Sequence, residues 1–241
     1  MSIAVMTLAT GTAHSDQVTV IAGGGFAEPL KALTPAFEAK TGHKLVPRYG
    51  TAPQLVTMSA EPFDVIITPE GVIGVDATRG RFAAGAPAPV AKVDIGVAVL
   101  KGAAKPDIRT TAALRQALVS ARGVSSLQAS ATGAKLEKIY QKLGIAEPMK
   151  ANLRVQTTVP GITEAVAKGD AEIAIFTLNV LATDPRMDVV GPIPDDVQDS
   201  VVYFGSTSPA TKVPEAAQAL LNFLKTPEAA AIIKAKGMTP G

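Results

Sequence analysis

Residues 16–50, DQVTVIAGGGFAEPLKALTPAFEAKTGHKLVPRYG, constrain the fold more than any other stretch of this chain. They read as a strand, a three-glycine turn, an amphipathic helix and a second strand, the unit from which parallel sheets are built. Val18 and Val20 alternate with Thr19 in a β-branched run, as strand residues do. Gly23, Gly24 and Gly25 permit a tight turn and let another group approach backbone that carries no Cβ. Phe26, Leu30, Leu33 and Phe37 recur at spacings of four, three and four, the apolar stripe of a helix packed on a sheet. Pro29 fits a first turn, whereas Pro35 is interior and predicts a kink or a restart. Gly42 supplies the stop, and 44–49 resumes as a strand.

A turn of this kind delivers backbone N–H groups to a helix start, where a small anion is held. The glycines do not name a ligand. GGGFAE lacks both the G-x-G-x-x-G of a dinucleotide site and the G-K-[ST] of a phosphate-binding loop. A tight turn with no ligand needs the same residues.

Length and composition narrow the function classes. With 241 residues the chain holds one large domain or two modest ones. Apolar residues make up 47%, aromatics 4%, and there is no Trp, so the aromatic platforms of a single-strand nucleic-acid binder are missing. The net charge of +2 comes with no basic run, and nucleic acid is not an expected partner. The absence of cysteine excludes disulfides, thiolate metal sites and a Cys nucleophile. His14 and His43 are the only histidines, too few for a catalytic zinc site and poorly placed to serve a Ser-His-Asp triad. No metal and no cofactor are expected. Residues 1–15, MSIAVMTLATGTAHS, are uncharged and mildly apolar and end in Ala13, His14 and Ser15. They read as the rear half of a secretory signal peptide that lacks its charged start; a cytosolic N-terminus is the alternative. No other stretch reaches the roughly 18–20 apolar residues that span a bilayer, so the mature protein is expected to be soluble.

Further strands are predicted over 64–68, 94–100, 123–128, 152–157, 172–176 and 200–205. Helices are predicted over 52–58, 72–79, 110–120, 132–143, 162–168, 213–225 and 227–236, several with a capping Thr or an early Pro. The run Val65–Thr68 is continuously apolar before its Thr, as in a strand covered on both faces. Two breaker clusters, at 85–90 and 192–196, bracket the middle of the chain. This order predicts an α/β, two-lobe architecture with mostly parallel sheets. One lobe would hold 16–88 and 203–241, the other 89–202, with a ligand cleft between them.

At this point the order of motifs resembles the type 2 periplasmic solute-binding proteins, and within them the molybdate-binding branch. The resemblance rests on LKALTPAFEAKTGHKL at 30–45, PFDVII at 62–67, Thr132 and Gly133, QKLG at 141–144, VPGI at 159–162, KGDAEIAI at 168–175 and FLKTPEAA at 223–230. It covers nearly all of 17–241. It implies a periplasmic protein, active as a monomer, that closes on a small anion and hands it to membrane transporter subunits. A solute sensor feeding a membrane receptor would share the same lobes.

Carried over residue by residue, the resemblance implies ligand contacts at Gly25, Thr51 or Ala52, Thr132, Val159 and Thr177. Gly25 stands where the molybdate binders keep a serine, Ala52 is the alternative to Thr51, and Thr177 stands where they keep a tyrosine. A tetrahedral oxyanion shell is therefore incomplete. Other groups lie at the same strand ends. Arg48 offers a bidentate fork for a carboxylate, or is simply a solvated strand residue. Ser130 adds a hydroxyl and Gly24 and Gly133 add N–H groups, while Thr132 is equally an ordinary helix cap. A di- or tricarboxylate-like ligand fits this set better than molybdate.

The branch also includes periplasmic aconitate isomerase, which moves a proton between carbons of an unsaturated tricarboxylate. That reaction needs a base and donors for an enolate-like carboxylate. Glu70, at the end of the strand 64–68, is the candidate base, or else a first-turn residue that stabilises a helix dipole. His43 lies at the opposite end from the strand termini where α/β ligands bind.

Overall fold

The computed structural model describes residues 15–73, 75–83 and 87–241. All of the expected leader except Ser15, together with Gly74 of the helix expected at 72–79 and Gly85–Ala86 of the first breaker cluster, lies outside the described residues.

The chain opens as expected: β1 (Gln17–Gly23), a short 3-10 turn (Gly24–Phe26), α1 (Ala27–Thr41), β2 (Lys44–Gly50), α2 (Ala52–Met58) and β3 (Val65–Pro69). Phe26, Leu30, Leu33 and Phe37 are all fully buried against the sheet, each stabilising the fold by about 1.5–3 kcal/mol. Gly42 ends α1 in the left-handed region, at φ 77°. Pro35 does not restart α1, which runs through it. Its missing N–H would have faced the carbonyl of Lys31 on the exposed side of the helix, where an unpaired carbonyl stays open to solvent. The helix expected at 72–79 is reduced to a 3-10 turn at Asp76–Thr78. Thr78 Oγ1 donates to the carbonyls of Val72 and Val75.

The chain then runs through β4 (Ala88–Val93), β5 (Ile95–Leu100), α3 (Thr111–Ser120), β6 (Val124–Ser126), α4 (Ala131–Lys142), α5 (Ala146–Asn152) and β7 (Leu153–Val155). It continues with α6 (Val159–Ala167), β8 (Ile173–Thr177), α7 (Leu178–Leu181), β9 (Met187–Pro192) and β10 (Val201–Thr207). It closes with α8 (Pro214–Phe223), α9 (Pro227–Ala235) and β11 (Thr239–Pro240). Two sheets result. The first has the order β11-β4-β10-β3-β1-β2 and the second β7-β6-β8-β5-β9.

Both sheets are mixed rather than mostly parallel. β1 runs parallel to β2 and β3, and β6 runs parallel to β7 and β8. The strands next to the crossings between sheets, β4, β5, β9 and β10, all pair antiparallel. A strand that enters or leaves a sheet directly from the other sheet has no crossover helix to return it in the parallel sense. β4 belongs to the first sheet, so the expected boundary at 88/89 falls within it, and the chain passes to the second sheet at Asp94.

Each sheet has its own core. Val18, Val20, Phe37, Leu220 and Phe223 lie in the first, and Ile95, Leu114, Leu136, Ile139 and Ile175 in the second. The two crossings are tied to each other: Ser200 Oγ donates to Asp94 Oδ1 at 2.5 Å. Gln198 brackets Ile95, accepting from its N–H at 3.0 Å and donating to its carbonyl at 2.9 Å. Among the described residues no helix is long and apolar enough to cross a membrane.

Candidate functional site

The C-terminal ends of β1 and β2 face the segments that follow β7 and β8, and together they enclose a cavity of about 870 Å³. The first sheet contributes Gly24, Gly25, Glu28, Tyr49, Thr51 and Gln54; the second contributes Thr158, Val159, Asn179, Asp184 and Arg186.

Local chemistry fixes these walls. Thr51 precedes α2, and its N–H donates to Gln54 Oε1 at 2.8 Å, which pins the first turn. Thr158 caps α6, its Oγ1 accepting from the N–H of Gly161 at 3.2 Å. Asn179 Nδ2 crosses the cleft and donates to the Gly25 carbonyl at 2.7 Å, a buried bond between the two sheets' units. A Cβ on Gly24 would stand 3.1 Å from Val159 Cγ2, so the bare glycine lets the two walls meet.

Several polar atoms around the cleft are buried without a hydrogen-bond partner among the described residues: Tyr49 Oη, Thr177 Oγ1 and Asn179 Oδ1. Folded proteins satisfy nearly all such groups. The two hydroxyls can donate and the amide oxygen can accept. Burial, and secondarily the charge of Glu28, pushes the Tyr49 phenol up.

The charged groups of the lining are already engaged with one another. Lys31 Nζ meets Glu28 Oε1 at 2.6 Å. Arg186 NH2 meets Asp184 Oδ2 at 2.7 Å and Glu164 Oε2 at 2.8 Å, and Lys168 Nζ meets Glu164 at 3.2 Å. The Arg186 guanidinium holds both carboxyls below the usual carboxylate range.

Of the residues expected from sequence, Gly24, Gly25, Thr51 and Val159 line this cavity. Thr177 lies behind Gly25, its Oγ1 4.0 Å from where a Gly25 Cβ would be. Arg48 is not brought to it. Successive strand residues point to opposite faces, so Tyr49 turns to the cavity while Arg48 NH1 donates to Glu61 Oε2 at 2.8 Å. Ser130, Thr132 and Gly133 form the start of α4 and are not among the residues lining the cavity. Ser130 caps that helix, accepting from the Gly133 N–H at 2.9 Å.

Glu70 also stands outside the cavity. Its N–H donates to the Val202 carbonyl at 3.0 Å, and its Oε1 is ion-paired with Lys135 Nζ, which also meets Asp199 Oδ1 at 2.5 Å. His43 sits at the far end of β2, its Nδ1 accepting from the Asp16 N–H at 3.2 Å. Sequence reasoning missed Gln54, Thr158, Asn179 and Arg186. The T-x-P-G pattern at 158–161 was a readable cap signal, and Asn179 was the polar residue in an otherwise apolar LNVL turn.

Two mixed-sheet lobes, crossed twice by the chain and facing each other across a cleft, are the architecture of the type 2 periplasmic binding proteins. The solved periplasmic molybdate-binding protein of Azotobacter vinelandii superposes with a TM-score of 0.76 at 20% identity, over 93% of this chain and 99% of that one. The chain belongs to the bacterial extracellular solute-binding protein family, whose pattern matches residues 18–239. It is 31% identical over 231 residues to an aconitate isomerase of Pseudomonas sp, covering 92% of this chain and 87% of that enzyme. It is 27% identical over 242 residues to a molybdate-binding protein of Azotobacter vinelandii, covering 93% and 90%.

Proposed function

We propose that this protein captures a small anionic solute between its lobes and delivers it to membrane transporter subunits, working as a monomer in the periplasm. The lobes would turn about the paired crossings at Asp94 and Ser200, in the manner of hinge closure around a ligand. The observation that carries the reading is the character of the cleft. Neutral donors converge there, whereas every carboxylate lining it is already paired with a cation. Such a wall can bind an anion, and its carboxylates are engaged in ion pairs.

A carboxylate-bearing organic anion fits better than a bare tetrahedral oxyanion. The cavity lies in the size range of organic ligand sites, about 300–1,000 Å³, and position 25 carries no hydroxyl. Calorimetric titration with trans-aconitate, tricarballylate, molybdate and sulfate tests the class. Tightest binding of either carboxylate supports the reading, and tightest binding of molybdate overturns the ligand preference.

A second reading, isomerisation of trans- to cis-aconitate, draws support from the 31% identity to an aconitate isomerase. It is separated by ultraviolet monitoring of trans-aconitate with purified protein. Turnover establishes it; thermal stabilisation by trans-aconitate without any spectral change excludes it.

A further inference from the structure

We infer that Tyr203 is the residue that reads the ligand at the back of the cleft, its hydroxyl standing where a serine side chain at position 25 would otherwise stand. The inference rests on the anion-binding reading above and adds a specificity-determining group to it.

Three observations converge. First, a Cβ built on Gly25 would overlap Tyr203 Oη, with Tyr203 Cζ at 3.4 Å and Thr177 Oγ1 at 4.0 Å. The phenol oxygen therefore fills the volume that a side chain at 25 would claim, directly behind Gly25, which lines the cavity. Second, the ring is held there. A Cβ on Gly23 would lie 3.0 Å from Tyr203 Cε1 and 3.1 Å from Pro69 Cδ, and the Phe26 ring packs on Tyr203 with centroids 5.5 Å apart. Two of the three glycines in the opening turn thus make room for one tyrosine, and the third makes room for Val159. Third, the surroundings are polar atoms in want of partners. Thr177 is fully buried with Oγ1 unpaired, and Asn179, 5% exposed, has Oδ1 unpaired while its amide nitrogen holds the Gly25 carbonyl. Tyr203 is itself only 4% exposed, and burial alone pushes its phenol up, so it remains a neutral O–H donor at every physiological pH.

A phenol reaches further than a serine hydroxyl and enters from the first sheet's β10. A hydroxyl delivered this way, beside the hydroxyl of Thr177, suits one carboxylate of an organic anion. The opposing oxygens of a compact tetrahedral ion are reached better by short side chains on each helix start.

The test uses the full chain with the same four probes, trans-aconitate, tricarballylate, molybdate and sulfate, by calorimetry and thermal melting. Tyr203→Phe removes an oxygen that makes no hydrogen bond among the described residues, so its melting temperature stays near wild type. Its affinity for whichever probe binds wild type tightest falls about tenfold, as for loss of one buried hydrogen bond to a charged group. Gly25→Ala tests the same point with the tyrosine intact, since the added methyl overlaps Oη; it also weakens binding. In Gly25→Ser with Tyr203→Phe the new hydroxyl takes the vacated place, and the double variant melts higher than Gly25→Ser alone. Wild-type affinity in Tyr203→Phe or in Gly25→Ala overturns the inference and leaves the anion-binding reading standing. Failure of wild type to bind any of the four probes overturns both.

Discussion

Replacing Lys135 with Met tests how the two lobes are held together away from the ligand. Lys135 projects from α4 of the second lobe, with its side chain 13% exposed, and its ammonium touches Glu70 at the end of β3 and Asp199 beside the second crossing. A buried charge-assisted bond would contribute about 1.5–3 kcal/mol. Here Glu70 is 43% and Asp199 37% exposed, so solvent screens both pairs, and each is discounted to about 0.5–1 kcal/mol. The substitution keeps the apolar stem, leaves both carboxylates solvated, and should cost about 1–2 kcal/mol in all. Burial alone would lower the Lys135 pKa, but the hydrogen bonds its ammonium donates to Asp199 and Glu70 outweigh it and raise the value. The stabilisation is therefore complete below the ordinary lysine value of about 10.4 and is lost only as pH rises through the higher folded value. Urea unfolding near neutral pH should show the full deficit, unchanged across the neutral range. A double-mutant cycle of Lys135→Met with Glu70→Gln isolates the cross-lobe pair, with an expected coupling of about 0.5–1 kcal/mol. A coupling indistinguishable from zero would show that the contact does not join the lobes in solution.

Three further outcomes follow from the same geometry. Asn179→Ala leaves the buried Gly25 carbonyl without its donor, and should lower stability by about 1–3 kcal/mol in urea titration; a silent substitution would refute the cross-lobe bond. Arg186→Gln should destabilise at neutral pH, because Arg186 depresses the Asp184 pKa. That stabilisation is present above the unfolded Asp value of about 3.9 and lost as pH falls through the lower folded value, so acid titration should bring variant and wild type together. Arg48→Ala, whose guanidinium faces Glu61 outside the cavity, should leave ligand affinity unchanged in calorimetry; a loss would mean that the arginine swings into the cleft.

The opening βαβ unit was legible because its signals are local. An apolar stripe, a glycine stop and a β-branched run each act within one or two turns. Pro35 misled for an equally physical reason: helix-breaking depends on which carbonyl loses its donor, and one-dimensional reading cannot see that Lys31 faces water. The strand β9 and the helix α5 went unread. Met187–Pro192 has only two consecutive β-branched residues before Gly191, and its strand character comes from pairing with β5. α5 is seven residues long, too short for a periodic stripe. At the cleft, the family resemblance marked Gly25, Thr51 and Val159 and the residues themselves marked Gly24, all of which follow strand ends. The residues also offered Arg48 as a carboxylate fork, whereas its guanidinium meets Glu61 away from the cavity. Neither could find Tyr203, because the link between residues 25 and 203 is spatial and spans most of the chain.

The charges at the rim of the cavity cancel among themselves: Lys31 against Glu28, and Arg186 with Lys168 against Asp184 and Glu164. A mouth of this kind projects little field into solvent and gives an approaching anion no long-range attraction. Capture is then set by unbiased diffusion and lobe motion, with an association rate that barely responds to ionic strength. On the proposed reading, affinity resides in how slowly the closed cleft lets its ligand leave.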